Sequence, residues 1–203
     1  WQQQIWAGYN VSPEGGISKE LHASQVKAEP APTKAPEAFF ERVINEINEA
    51  SKRQFNVPFF RGHQSVNDII NSINRFRAVD ERGLFSLAKD IARILADDID
   101  VESLQKIANP PKGTKWGSLK TIENLLALKI PQESARQITS PLVGVYELRH
   151  GDAHLPSSEI ENAFNLVKID RNLPSVIQGY QMLFACVDNL HRILSIIDKW
   201  DEI

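Results

Sequence analysis

Between Val176 and Ile197 the residues Val176, Tyr180, Leu183, Val187, Leu190, Leu194 and Ile197 recur at alternating steps of four and three. That spacing keeps one stripe of a helix turned toward a neighbour over its whole length. Met182, Cys186, Ile193, Ile196 and Trp200 lie off the stripe and are apolar as well. A helix apolar on more than one side must run through the middle of a bundle, or pack in a bundle and against another chain. Pro174 can open it and the pattern continues to about Trp200, which predicts a helix of roughly 40 Å. Part of the Met182/Ile193/Trp200 side is expected to remain for a partner chain.

The rest of the chain from Pro36 onward also reads as helical. "PEAFFERVINEINEASKR" has a proline at a first helical position, acids early and bases late, which complements the helix dipole. "SVNDIINSINRF" carries Val66, Ile69, Ile70, Ile73 and Phe76 at helical spacing, and Leu84, Leu87, Ala88, Ile91, Ile94 and Leu95 follow in "DERGLFSLAKDIARILADDI". Short helices are expected in "VESLQKIA" and "SLKTIENLLALK", on either side of the loop "NPPKGTKWG". Ser140-Pro141 reads as an N-cap and first-position proline opening a helix whose apolar side is Leu142, Val143, Val145, Tyr146 and Leu148. Pro156 then interrupts, and Ser157 or Ser158 caps the next helix. No segment alternates with period two, so the expected class is all-α, a helical bundle with a long C-terminal helix.

Residues 1–35 differ: "WQQQIWAGYNV" is aromatic, "SPEGG" breaks the chain and "KAEPAPTKAPEA" is an extended Ala/Pro linker. They are read as an N-terminal arm and linker, possible remnant of an upstream domain, ahead of an all-α domain over 36–203. Trp1 in first position is read as the trimmed end of a longer chain. The net charge of −3 gives no global pull on a polyanion, so nucleic-acid binding would need a local patch. The lone cysteine, Cys186, excludes an internal disulfide framework, sits among apolar neighbours as a core thiol, and fits a reducing, cytoplasmic compartment. No apolar run reaches the roughly 20 residues of a membrane span, and no secretory leader is visible.

The chemistry concentrates in "LRHGDAH", Leu148 to His154. An arginine presents a planar fork of donors to phosphate oxygens, and a histidine exchanges a proton near neutral pH. Together they can hold an anionic group and accept a proton. The bland alternative is a surface arginine pairing with Asp152 or Glu147, an exposed bridge worth under about 1 kcal/mol. On a regular helix, positions five apart point about 140° from each other. Arg149 and His154 therefore converge only if the backbone bends at Gly151 or if two chains pool their motifs.

Arg149-x-x-x-x-His154, with the polar His150 after the arginine and a long terminal helix downstream, resembles the HEPN superfamily. The matched motif is six residues long, Arg149 to His154, and its supporting context covers roughly residues 84–203. It implies a metal-independent endoribonuclease without cofactor, acting on RNA as a homodimer in a toxin or antiviral defence setting. Its implied catalytic residues are Arg149, His154 and His150, supported by Asp152 and Glu147. Other members of the superfamily are non-catalytic binding or oligomerisation modules, which is the second expectation.

Weaker candidates lie elsewhere. Lys112, Lys115 and Lys120 with Trp116 could touch an RNA backbone and stack a base, and Arg61 and His63 in "FFRGHQS" sit on a loop after two aromatics. Asp97, Asp98, Asp100 and Glu102 read as a solvated acidic turn rather than a metal site. His191, beside the Val187/Leu190 stripe, reads as a core or interface histidine. No glycine-rich phosphate loop, paired-cysteine metal site or serine nucleophile motif is present.

Overall fold

The computed structural model describes residues 22–29, 35–62, 64–151 and 157–203. The chain divides into two units, Trp1–Ala35 and Pro36–Ile203. In the first, His22–Val26 forms one wide helical turn. The second is an all-α bundle. A 3-10 turn at Pro36–Phe39 leads into α1 (Phe40–Phe55), followed by α2 (Gln64–Ser72), α3 (Glu81–Ala92), α4 (Val101–Gln105), α5 (Ser118–Leu126), α6 (Gln132–Leu148), α7 (Ser157–Val167) and α8 (Ser175–Asp198). Among the described residues the extended pairing is confined to one antiparallel bridge, Phe60 to Ile99.

Helix ends follow local chemistry. α1 ends where Asn56 takes the left-handed conformation at φ 58° and its N–H bonds the Lys52 carbonyl, a position asparagine tolerates because its short polar side chain lowers the steric penalty. Asp80 caps α3 by accepting from Gly83 N at 2.7 Å, and Asp100 caps α4 by accepting from Ser103 N at 3.2 Å.

At the centre runs α8, 24 residues and about 36 Å long. It packs on α1, α3, α6 and the Pro36–Phe39 turn. Leu183, Leu190 and Ile197 of its stripe are buried, but so are Met182, Cys186, Ile193 and Ile196. The side expected to await a partner chain is therefore enclosed by this chain's own helices. Trp200 closes it, with its ring edge-on to Phe55 at 4.7 Å. The apolar residues that α8 exposes are Ile177 and Phe184. Cys186 is fully buried, and desolvation pushes its thiol well above the ordinary range, as befits a core position. His191 is exposed, with Nδ1 2.9 Å from the Val187 carbonyl, and is neither core nor covered.

Three local expectations are corrected. First, α6 starts at Gln132, not at Ser140, and carries Pro141 in its interior. An interior proline costs about 3 kcal/mol, but Ala135, Thr139, Leu142, Val145 and Leu148 form one buried stripe that spans it. Burying Leu142, Val145 and Leu148 contributes roughly 1.5–3 kcal/mol apiece, which outweighs the break. Thr139 and Ser140 hydroxyls bond back to the Ala135 and Arg136 carbonyls of the preceding turn. Gly144 lets α7 approach: a Cβ there would lie 2.6 Å from Val167 Cγ2.

Second, α2 stops at Ser72, and Phe76 belongs to a separate 3-10 turn, Arg75–Arg77, where the residue is 66% exposed. The Arg75 guanidinium lies 5.4 Å from the Phe76 ring and 5.5 Å from Tyr180. Third, α3 does not run on as one α-helix: it widens at Arg93–Asp97 into a π-type turn. The wider winding turns Ile94, Leu95 and Ala96 all inward, three consecutive buried residues, and delivers Asp97 to the surface beside the end of α6.

Candidate functional site at the end of α6

The last turn of α6 tightens as it finishes. Arg149 N reaches Val145 O at 3.3 Å, but His150 N bonds Glu147 O at 3.1 Å and Gly151 N bonds Leu148 O at 3.0 Å. Arg149 is thus the capping position and His150 the first residue beyond it. Gly151 makes this turn possible by its lack of a side chain, since its φ is not positive. A Cβ at that position would lie 2.6 Å from Cε1 of the buried Phe85. Gly151→Ala should therefore destabilise the fold by about 1–3 kcal/mol, the range for overpacking, measured by urea denaturation. Adding Phe85→Leu should recover part of the loss, whereas an unchanged midpoint for the single variant would contradict the contact.

Three groups fix the Arg149 side chain, which is 20% exposed. Its guanidinium carbon lies 3.5 Å from the centroid of the Tyr146 ring, its neighbour at i−3 on the same helix face. Nε donates to His150 Nε2 at 2.9 Å, an arrangement that leaves Nδ1 to carry the ring proton. Nη1 faces Asp97 Oδ1 at 3.4 Å. The expected alternative partner Glu147 does not take this role; its backbone carbonyl receives His150 N instead.

Asp97 is held from its other end by Arg61, whose Nη2 donates to the Asp97 carbonyl. Arg61 reaches it because its loop is pinned. Asn48 Oδ1 accepts from Phe59 N and Phe60 N at 2.9 and 2.8 Å, Arg61 N bonds Asp98 O at 2.7 Å, and Asp100 N bonds Phe59 O at 2.9 Å. Phe59 and Phe60 are buried, so the loop enters the core and returns with Arg61 outside. Asp98, expected in a solvated turn, is buried and accepts from Gly62 N at 3.1 Å. A backbone donor compensates the burial of its carboxylate. Arg61, Arg149 and His150, with Asp97 between the two arginines, form one cluster drawn from three parts of the chain. Asp97, expected only as part of a solvated acidic turn, lies 52 positions from Arg149 in sequence, and Tyr146, expected on the apolar side of the helix, instead lies under the guanidinium.

Other expected residues lie apart or beyond view. Asp152, His154 and His63 fall outside the described residues. Lys112 and Lys115 are exposed on the loop before α5, and Trp116 is half-buried against the core with its carbonyl accepting from Gln105. Lys120 is committed within the chain: its ammonium meets Glu123 Oε1 at 2.8 Å, the atom that also accepts from Gln132 Nε2 at 2.6 Å. A groove of about 610 Å³ lies among α6, α7 and α8, lined by Gln137, Pro141, Lys168, Phe184 and Asn189, and does not include Arg149.

Among the described residues, no three His, Cys, Asp or Glu side chains gather as a metal-holding group, and no helix is long and apolar enough to cross a membrane. No family model matches the chain, nor does any curated protein or any solved structure.

Proposed function

We propose that the Pro36–Ile203 domain is a HEPN-like endoribonuclease that cleaves RNA without a metal through a dimeric Arg/His site. One observation carries the reading. Arg149 and His150 form a hydrogen-bonded pair on the closing turn of α6, with the guanidinium fixed over Tyr146 and its edge turned to an exposed carboxylate. A guanidinium oriented before substrate arrives binds charge developing on a phosphate with little reorganisation. Arg149 supplies that fork, His154 takes the 2′-hydroxyl proton, and His150 orients the arginine. In excess chelator the protein should still degrade RNA, and Arg149→Ala should abolish that degradation. Activity lost to chelator and restored by a divalent ion would reject the mechanism.

The Arg149–Asp97 pair also favours a second reading, a non-catalytic module in which the arginine holds an anion or a partner protein. RNA retained but never cut by the wild-type chain, with retention lost in Arg149→Ala, is the result that selects it.

A further inference from the structure

Asp97 stands where an incoming anion would have to go. Its carboxylate faces the Nη1 edge of Arg149, while Arg61 grips its backbone carbonyl. The contact to Arg149 is long, 3.4 Å to a single oxygen, and the Asp97 side chain is 55% exposed. Such a pair is weak and solvent-screened. The bonds that hold the surrounding backbone run instead through Asp98, Asp100 and Asn48. The Asp97 carboxylate can therefore swing away without dismantling the loop.

We propose that Asp97 is an internal stand-in for a phosphodiester: its carboxylate occupies the anion position at the Nη1 edge of Arg149, with Arg61 on the Asp97 backbone carbonyl beside it, and RNA binds by displacing it. This assigns Asp97 a gating role and makes Arg61 a second phosphate ligand. It rests on the reading of Arg149 as a phosphate-binding residue, but not on cleavage. A phosphodiester offers the fork two oxygens in place of one, and a carboxylate released into water regains its hydration. The Tyr146 face and the His150 bond keep the guanidinium oriented during the exchange. The arrangement also explains how a net-acidic chain can hold an arginine site at its surface: in the unliganded state Asp97 offsets the charge of Arg149.

The test uses the full chain and a short 2′-O-methyl oligoribonucleotide, which carries the phosphates but lacks the hydroxyl that cleavage requires. Asp97→Asn keeps the side-chain shape and the carbonyl that Arg61 holds. It should tighten binding about fivefold, the weight of one exposed ion pair no longer in competition. Asp201→Asn removes one exposed negative charge that pairs with neither arginine and should change binding by less than about twofold, since such a surface charge is screened by salt. Arg61→Ala should weaken binding about fivefold. Thermal melts of all three variants confirm the fold, and Asp97→Ala serves as a second form of the same deletion. Asp97→Asn indistinguishable from Asp201→Asn, or Arg61→Ala indistinguishable from wild type, overturns the proposal. A tightened Asp97→Asn in a protein that never cuts natural RNA keeps the gate and removes the nuclease. Arg149-dependent cutting with a neutral Asp97→Asn does the reverse.

Discussion

Ile193→Asp is expected to unfold the domain rather than to separate two copies of it. Ile193 is wholly buried on α8, the helix that packs on α1, α3 and α6. Aspartate there loses the burial of a large side chain and places a carboxylate within the hydrophobic core. Truncating a buried isoleucine alone costs about 2–5 kcal/mol, and the stranded charge adds to that. Domains are stable by only about 5–15 kcal/mol, so the variant should lose most helical circular dichroism at room temperature. Ile193→Val removes one methylene and should cost about 0.5–1.5 kcal/mol with the fold retained. Phe184→Asp, at a site 55% exposed, should leave helical content intact. A folded, helical Ile193→Asp protein that differs only in association state would return this side of α8 to a partner chain.

The α8 case shows where reading the sequence succeeds and where it stops. The four-three spacing located the helix and the stripe, because periodicity reports which positions are apolar. It cannot report how many neighbours surround a helix, and here α1, α3 and α6 enclose the side that an exposed second stripe would have shown a partner. Ser140-Pro141 misled for a related reason: proline chemistry favours a first position, but a buried stripe running from Ala135 to Leu148 overrides a local preference worth a few kcal/mol. Phe76 fitted the spacing of α2, yet the chain turns at Asn74, and an exposed aromatic looks the same in sequence as a buried one. The end of α6 was legible as the place where Arg149 and His150 sit. Arg61 and Asp97 were each visible on their own segments, but their meeting with this end of α6 was not, because they arrive through a loop pinned by Asn48 and a π-type turn, and long-range pairing leaves no trace in local pattern.

His154→Ala should lower the RNA cleavage rate by about 10²–10⁴-fold, the usual worth of a general base, while RNA still binds. With the base present, the rate should rise with pH, because only the neutral ring accepts the 2′-hydroxyl proton. His154→Ala should lack that rise. Arg149→Lys keeps a positive charge but loses the planar fork, the stack on Tyr146 and the Nε bond to His150, so it should fall well short of wild type. The two defects also report the site's make-up. If each site takes its arginine from one chain and its histidine from the other, mixing Arg149→Ala with His154→Ala protein rebuilds one intact site per heterodimer, and cleavage returns. If each site draws both residues from a single chain, the mixture stays inactive. Equal activity of wild type and His154→Ala across the whole pH range would remove His154 from the mechanism and leave the end of α6 as a binding site alone.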